Sequence, residues 1–255
     1  MVRFPSTPGF GLNGKRALVV GASSGIGLAC AVALAEQGAA IMLAARRGNR
    51  IREIAEEMAV RNWQVNVLEL DISNVAETAE AVAENGPFDI LVNSAGLARH
   101  GKAIETTAED FDAVMGVNVR GAYFLTRAVA KGLLEAGRPG SLINISSQMG
   151  HVGGQDRAVY CASKFAVEGF SKAMAIEFGP ARIRVNTICP TFILTDFTRA
   201  TFDDPDKRGW ILDKIKLGRA GEVEDIMGAV VYLASDASAM VTGTPMMIDG
   251  GWTAD

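Results

Sequence analysis

The chain has 255 residues, a length that one large domain or two smaller ones of about 150 residues would fill. With 49% hydrophobic and 21% charged residues it can bury a sizeable core, which excludes a disordered chain. Its 25 basic and 29 acidic residues leave a net charge of -4 with no run of like charge, which argues against nucleic acid as a partner.

No apolar stretch approaches the roughly 18 residues of a membrane span, and the N-terminus lacks a signal core, so a soluble, cytoplasmic protein is expected. Cys30, Cys161 and Cys189 form no CxxC pair and there are only two histidines, so neither a disulfide framework nor a metal site is expected. Glycine is the outlier, at 28 residues: the backbone is asked to turn tightly or to approach something closely.

In chain order, apolar runs at 16–20, 40–45, 64–70, 88–93, 141–146, 182–189 and 245–248 predict seven strands, rich in Val, Ile and Leu and weakly alternating, as in strands covered on both faces. Helical segments fall near 25–37, 48–61, 74–85, 107–136, 158–178 and 222–234. Strand alternating with helix implies right-handed crossovers and one parallel sheet with helices on both sides. With no linker or repeat, residues 1–255 read as a single domain. The irregular stretch of about 190–216 reads as a substrate loop or lid, because long loops in compact domains are usually functional.

The first strand runs into Gly21-Ala-Ser-Ser-Gly25-Ile-Gly27 at the start of a helix. Glycines there let the main chain approach a pyrophosphate, whose charge is favoured by the free N–H groups of the helix start. Ser23 and Ser24 can add hydroxyls. About 20 residues further on, an acidic residue would bind a ribose 2′-hydroxyl and repel a 2′-phosphate. The second strand instead ends in Ala45-Arg46-Arg47, so NADP(H) is preferred over NAD(H), unless the arginines simply open a solvated helix. Asp71, ending the third strand, is either an adenine contact or a helix cap.

Tyr160 and Lys164 are spaced to share a helix face, so the ammonium can lower the phenol pKa and let Tyr160 act as a general acid or base. Ser147 lies just beyond the fifth strand, at the sheet edge where doubly wound folds bind ligands, and its hydroxyl can hydrogen-bond a reacting oxygen.

Together with Asp71-Ile72, Asn93-Ser94-Ala95-Gly96, Asn118, Pro190 to Thr195 and Asp249-Gly250-Gly251, these motifs resemble the short-chain dehydrogenase/reductase family over essentially the whole chain. The resemblance implies a Rossmann-type α/β fold with seven parallel strands in the order 3-2-1-4-5-6-7. It implies Tyr160 as proton donor and acceptor, and Lys164 as the group that lowers its pKa and binds the nicotinamide ribose. Ser147 would orient the substrate oxygen, and Asn118 would hold a water linking Lys164 to solvent. Ile26, Asp71, Ile72, Asn93, Ala95, Gly96, Pro190, Ile193 and Thr195 would join the glycine turn in binding the cofactor.

Three residues depart from the family pattern: Val20 where Thr is usual, Ser94 where a second Asn is frequent, and Thr191 where Gly commonly follows the proline. Within the family the sequence looks most like gluconate 5-dehydrogenases, acting on a sugar acid or polyol, and 3-oxoacyl-carrier-protein reductases. The first would draw specificity from Gln148, His151, Gln155, Arg157, Arg99 and His100. The second would need basic residues such as Arg120, Arg127, Lys131 and Arg199 to receive an acyl carrier protein. A third possibility, of another class, is a cofactor-binding sensor without turnover. Cys161 reads as a packing residue, and the apolar C-terminal segment around Trp252 suits an oligomer contact; the resemblance implies a homotetramer.

Overall fold

The structure, a computed structural model, describes residues 4–254. Seven parallel strands form one sheet in the order 3-2-1-4-5-6-7. They are β1 (Arg16–Val20), β2 (Ala40–Ala45), β3 (Val65–Glu69), β4 (Ile90–Asn93), β5 (Gly140–Ile145), β6 (Ile183–Pro190) and β7 (Pro245–Ile248). Nine α-helices are found among the described residues. In order they are α1 (Gly25–Glu36), α2 (Gly48–Val60), α3 (Val75–Asn85), α4 (Ala108–Met115), α5 (Ala122–Glu135), α6 (Ala158–Phe178), α7 (Asp196–Phe202), α8 (Pro205–Lys214) and α9 (Glu224–Ala234).

The expected strand order is the observed one. β1 pairs through Val20 with Ala44 of β2 on one side and Asn93 of β4 on the other. The chain order reverses at that point, so the loops leaving β1 and β4 diverge into a crevice at the carboxyl edge of the sheet.

Each face of the sheet is covered. Leu34 of α1, Ile51 and Ile54 of α2, and Val230 and Leu233 of α9 pack with β1 and β2 residues on one side. Val82 of α3, Leu125 and Leu133 of α5, and Met174 of α6 do so on the other. Each such aliphatic side chain taken from water contributes roughly 1.5–3 kcal/mol before conformational entropy is subtracted.

Three expectations are corrected. β3 is not covered on both faces: it is the sheet edge, and Asn66, Val67 and Glu69 are exposed. The helix expected over 107–136 is broken by a π-helical segment at Gly116–Gly121, where the register shift turns Asn118 into the molecule, a common device at functional sites. The stretch 190–216 is not irregular, since it carries α7 and α8. Thr195 caps α7 with a reciprocal Thr198 bond, and Asp204 caps α8 ahead of Pro205, signals at their usual positions.

Candidate active site

The carboxyl edge of the sheet holds a cavity of about 440 Å³, within the usual size of a small-molecule site. One end is built by the turn after β1. Gly21 has φ +80°, and a Cβ there would stand 2.8 Å from the backbone of Ser94 and Ala95. Gly27 serves a different purpose from the expected ligand contact. A Cβ at that position would stand 2.3 Å from the Gly21 carbonyl oxygen, so its lack of a side chain lets α1 start against the turn. Ser24 does not cap α1 with its side chain, leaving the first N–H groups free at the cavity end lined by Gly25 and Ile26. Uncapped donors, the helix dipole and a main chain stripped of side chains fit a dinucleotide pyrophosphate.

Arg46 and Arg47 line the same end. Arg47, passed over in favour of its neighbour at the sequence level, is the better anchored: its Nη2 donates to Ser23 Oγ at 2.8 Å and Ser24 Oγ at 3.3 Å. Arg46 acts on Asp71. Against the rise that burial would cause, hydrogen bonds from Ser73 and the charge of Arg46 hold the Asp71 carboxyl below its usual pKa. Asp71 Oδ1 accepts from Ser73 N and Oγ, whereas the cap of α3 is Asn74; Asp71 and Ile72 both line the cavity.

Ala95 and Gly96 line its middle, while Asn93 lies beneath it, 3% exposed, donating to Asn144 Oδ1 at 3.2 Å and accepting from Ala95 N. Asn93 therefore shapes the segment without lining the space. Val20 is buried, and the Ser94 N–H donates to its carbonyl, so the turn is tied to β4 by backbone without a threonine hydroxyl. Thr191 lines the cavity with a buried hydroxyl that has no hydrogen-bond partner among the described residues. Pro190, Ile193 and Thr195 line the wall nearby.

At the other end Ser147, Tyr160 and Lys164 meet on the cavity wall. Burial pushes the Tyr160 phenol above its ordinary pKa, while the Ser147 hydroxyl and the Arg157 charge pull it down. The expected lowering by Lys164 is not among these influences. The Lys164 ammonium donates to the Ile145 carbonyl at 2.9 Å and lies over the Tyr160 ring, 5.6 Å from its centroid, rather than at the hydroxyl. Burial also brings Lys164 itself down to about 8, against the opposing pull of Cys189 and Glu168. Asn118 is 1% exposed and fixed by three bonds, to both backbone groups of Leu97 and to Ser163 Oγ. A Cβ on Gly96 would meet both Asn118 Oδ1 and Lys164 Nζ within 4.0 Å.

Beside Tyr160, outside the cavity lining, a further set of polar and aromatic side chains packs together. His100 stands edge-on to the Tyr160 ring and 2.5 Å from Arg157 Nη1, and Arg157 lies over Phe192 at 5.1 Å. Desolvation and the Arg157 charge hold the His100 imidazole to about 4, hence neutral. Phe192 stacks on Trp252 at 5.8 Å, and Trp252 meets Trp210 edge to face. Trp252 is 8% exposed, so it closes an internal cluster with Ile211 and Ile215 of the α8 region and does not present a free oligomer surface. Cys161 packs in the same cluster, and burial raises its thiol pKa.

None of the six residues expected to set substrate specificity lines the cavity, Arg99, His100 and Arg157 included. Gln148 is buried in the turn after Ser147 with Oε1 unpartnered, Gln155 is exposed, and His151 turns toward Glu168 and Cys189.

The family model described as Enoyl-(Acyl carrier protein) reductase matches residues 21–253. The chain is 43% identical over 251 residues to a D-threitol dehydrogenase of Mycolicibacterium smegmatis, covering 96% of this chain and 95% of that protein. It is 38% identical to a D-erythrulose reductase of Gallus gallus, covering 96% and 98%. A gluconate 5-dehydrogenase from Burkholderia cenocepacia, solved in complex with NADP and tartrate, superimposes with a TM-score of 0.93 at 33% identity, covering 96% and 98% of the two chains. With the family model spanning most of its length and relatives this close over nearly all of it, the chain belongs to the short-chain dehydrogenase/reductase family of oxidoreductases.

Proposed function

We propose that the protein is an NADP(H)-dependent enzyme interconverting a secondary alcohol and a ketone on a small polyhydroxylated substrate, a polyol or sugar acid. The observation that carries this reading is the meeting of Ser147, Tyr160 and Lys164 on the wall of a cavity whose other end is the uncapped start of α1. Gly21 to Ile26, Ala95, Gly96 and Ile193 would hold the dinucleotide, with Arg46 and Arg47 at a 2′-phosphate and no carboxylate at the end of β2 to repel it. When bound, the cofactor exchanges hydride with a carbonyl carbon. Tyr160 moves the proton at the substrate oxygen, and Ser147 orients that oxygen. Lys164 supports the charge of the phenolate, and Asn118 holds the Leu97 segment against Ser163 beside it.

The substrate class rests on His100 and Arg157, polar groups beside Tyr160, and on the polyol and sugar-acid names of the relatives. A sugar acid would place its carboxylate within reach of Arg157, whose hydrogen-bond and ring partners are an imidazole and an aromatic face. The acyl-carrier-protein alternative has less support, because Lys131 pairs with Glu135 and Arg199 with Asp196, while Arg120 and Arg127 both lie over Phe124. We read α7 and α8 as a lid over the substrate. A homotetramer is supported by Tyr123 of α5 and Phe165 and Ile176 of α6, large apolar side chains left exposed on neighbouring helices. A cytoplasmic enzyme accords with the absence, among the described residues, of a helix long and apolar enough to cross a membrane.

The test follows nicotinamide absorbance with NADPH plus ketoses and keto sugar acids, and with NADP plus polyols and sugar acids. Turnover on this class, lost in Tyr160→Phe, is expected. No turnover, with equal behaviour of Tyr160→Phe, would leave the cofactor-binding sensor as the better reading.

A further inference from the structure

Three residues from distant parts of the chain converge below the cavity without lining it. Glu168 sits one turn beyond Lys164 on α6, Cys189 near the end of β6, and His151 just after the turn at Gln148–Gly150. Cys189 Sγ lies 3.2 Å from Glu168 Oε1 and 3.5 Å from His151 Nε2, and that nitrogen is 3.6 Å from Glu168 Oε1. Ligand atoms bound at about 2.0–2.3 Å on one face of a tetrahedral zinc-like ion stand about 3.3–3.7 Å apart, close to this triangle.

The set is also supported from behind. Thr187, two residues before Cys189 and on the same face of β6, donates to the other Glu168 oxygen, Oε2, at 2.9 Å, which leaves Oε1 turned to the trio. The Ser146 hydroxyl, 4% exposed, sits beside the Cys189 thiol. Cys189 is fully buried, Glu168 nearly so, and the His151 side chain is about a quarter exposed.

We propose that His151, Glu168 and Cys189 form a binding site for a borderline-soft divalent cation of the zinc class, with water in the fourth position. A thiolate, an imidazole and a carboxylate together select such ions over calcium or magnesium. On binding, the sulfur–metal bond forms as the thiol proton passes to solvent. Thiolate and carboxylate then balance the dication within the protein.

The test uses untagged, metal-free full-length protein titrated with cobalt(II), a coloured stand-in for zinc. Saturation at one ion per chain is expected, with a thiolate-to-cobalt charge-transfer band in the near ultraviolet and visible bands of tetrahedral strength, both discharged by zinc(II). His151→Gln should weaken binding by at least about tenfold, by analogy with the 10–100-fold cost of losing even a supporting partner. Cys189→Ser should abolish the near-ultraviolet band, and His100→Gln, which removes the other histidine, should change neither. Since Cys189 is buried and its variant can fail to fold, the half-buried His151→Gln carries the test alone in that case. Absence of saturable one-to-one binding, binding without a thiolate band, or binding unaffected by His151→Gln would each overturn the proposal.

Discussion

The cofactor end of the cleft and the region beside Tyr160 are built on different principles. The end over β1 and β2 is made chiefly of backbone: a turn in which Gly21 and Gly27 leave no room for a Cβ, the free N–H groups of α1, and Arg47 tied to Ser23 and Ser24. The region beside Tyr160, just outside the residues that line the cavity, is made of side chains: Phe192, Trp210 and Trp252 in ring contact, with Arg157 and His100 set against them. Backbone geometry tolerates little change, since any side chain at Gly27 meets the Gly21 carbonyl. A cluster of packed rings can be rebuilt residue by residue, which is why one scaffold can keep its cofactor while changing its substrate.

Substitutions can break this contrast, the strongest at the junction of the two regions. Tyr160→Phe removes the hydroxyl proposed to move the proton, so kcat should fall about 10²–10⁴-fold with cofactor affinity retained; a loss of only a few-fold would show that another group does this work. At the backbone end, Arg47→Ala removes charge-assisted bonds worth roughly 1.5–3 kcal/mol, or about 10–100-fold in NADPH affinity, with NADH much less affected. Arg46→Ala should act in the same direction. Equal losses for both cofactors would sink the phosphate contact.

In the side-chain region, Trp252→Leu should cost about 1–3 kcal/mol of stability through lost ring contacts. It should raise KM for the substrate and leave NADPH affinity unchanged, so an equal rise for both ligands would erase the distinction between the two regions.

The smallest effect is on pH. The Lys164 pKa stands at about 8, below the ordinary 10.5, so the folded protein loses this proton before the unfolded chain does. Between those values the unfolded state binds more protons, and this group makes the folded state more stable as pH rises. Wild type should therefore gain stability relative to Lys164→Met from pH about 8 to about 10.5, measured by denaturant unfolding. NADPH affinity should fall over the same rise as the ammonium is lost, whereas Lys164→Arg, which stays charged, should not show that fall.

Much of the backbone end was legible in the sequence, because its requirements are local. A glycine turn after an apolar strand, an arginine pair where the second strand stops, and Tyr160 one helical turn from Lys164 each state their geometry by spacing. The strand order and the whole β1-to-β7 sheet follow from the same alternation. What spacing could not convey is where side chains of the right type end up. Arg47 rather than Arg46 reaches the serines because the chain turns into α2 there. Asn118 faces inward through a π-helical register shift, and Gly27 spares its side chain for the main chain rather than a ligand.

By itself the sequence determined the family and the sheet, and it marked out the turn and the residues proposed for cofactor and chemistry, because periodicity and short motifs encode neighbours along the chain. Tertiary structure alone decided the rest. It drew α7, α8 and Trp252 into one aromatic wall and took Gln148 out of the cavity. It also brought His151, Glu168 and Cys189 together across α6 and β6. Those contacts join residues far apart in the chain, and only the packing of helices onto the sheet sets such distances.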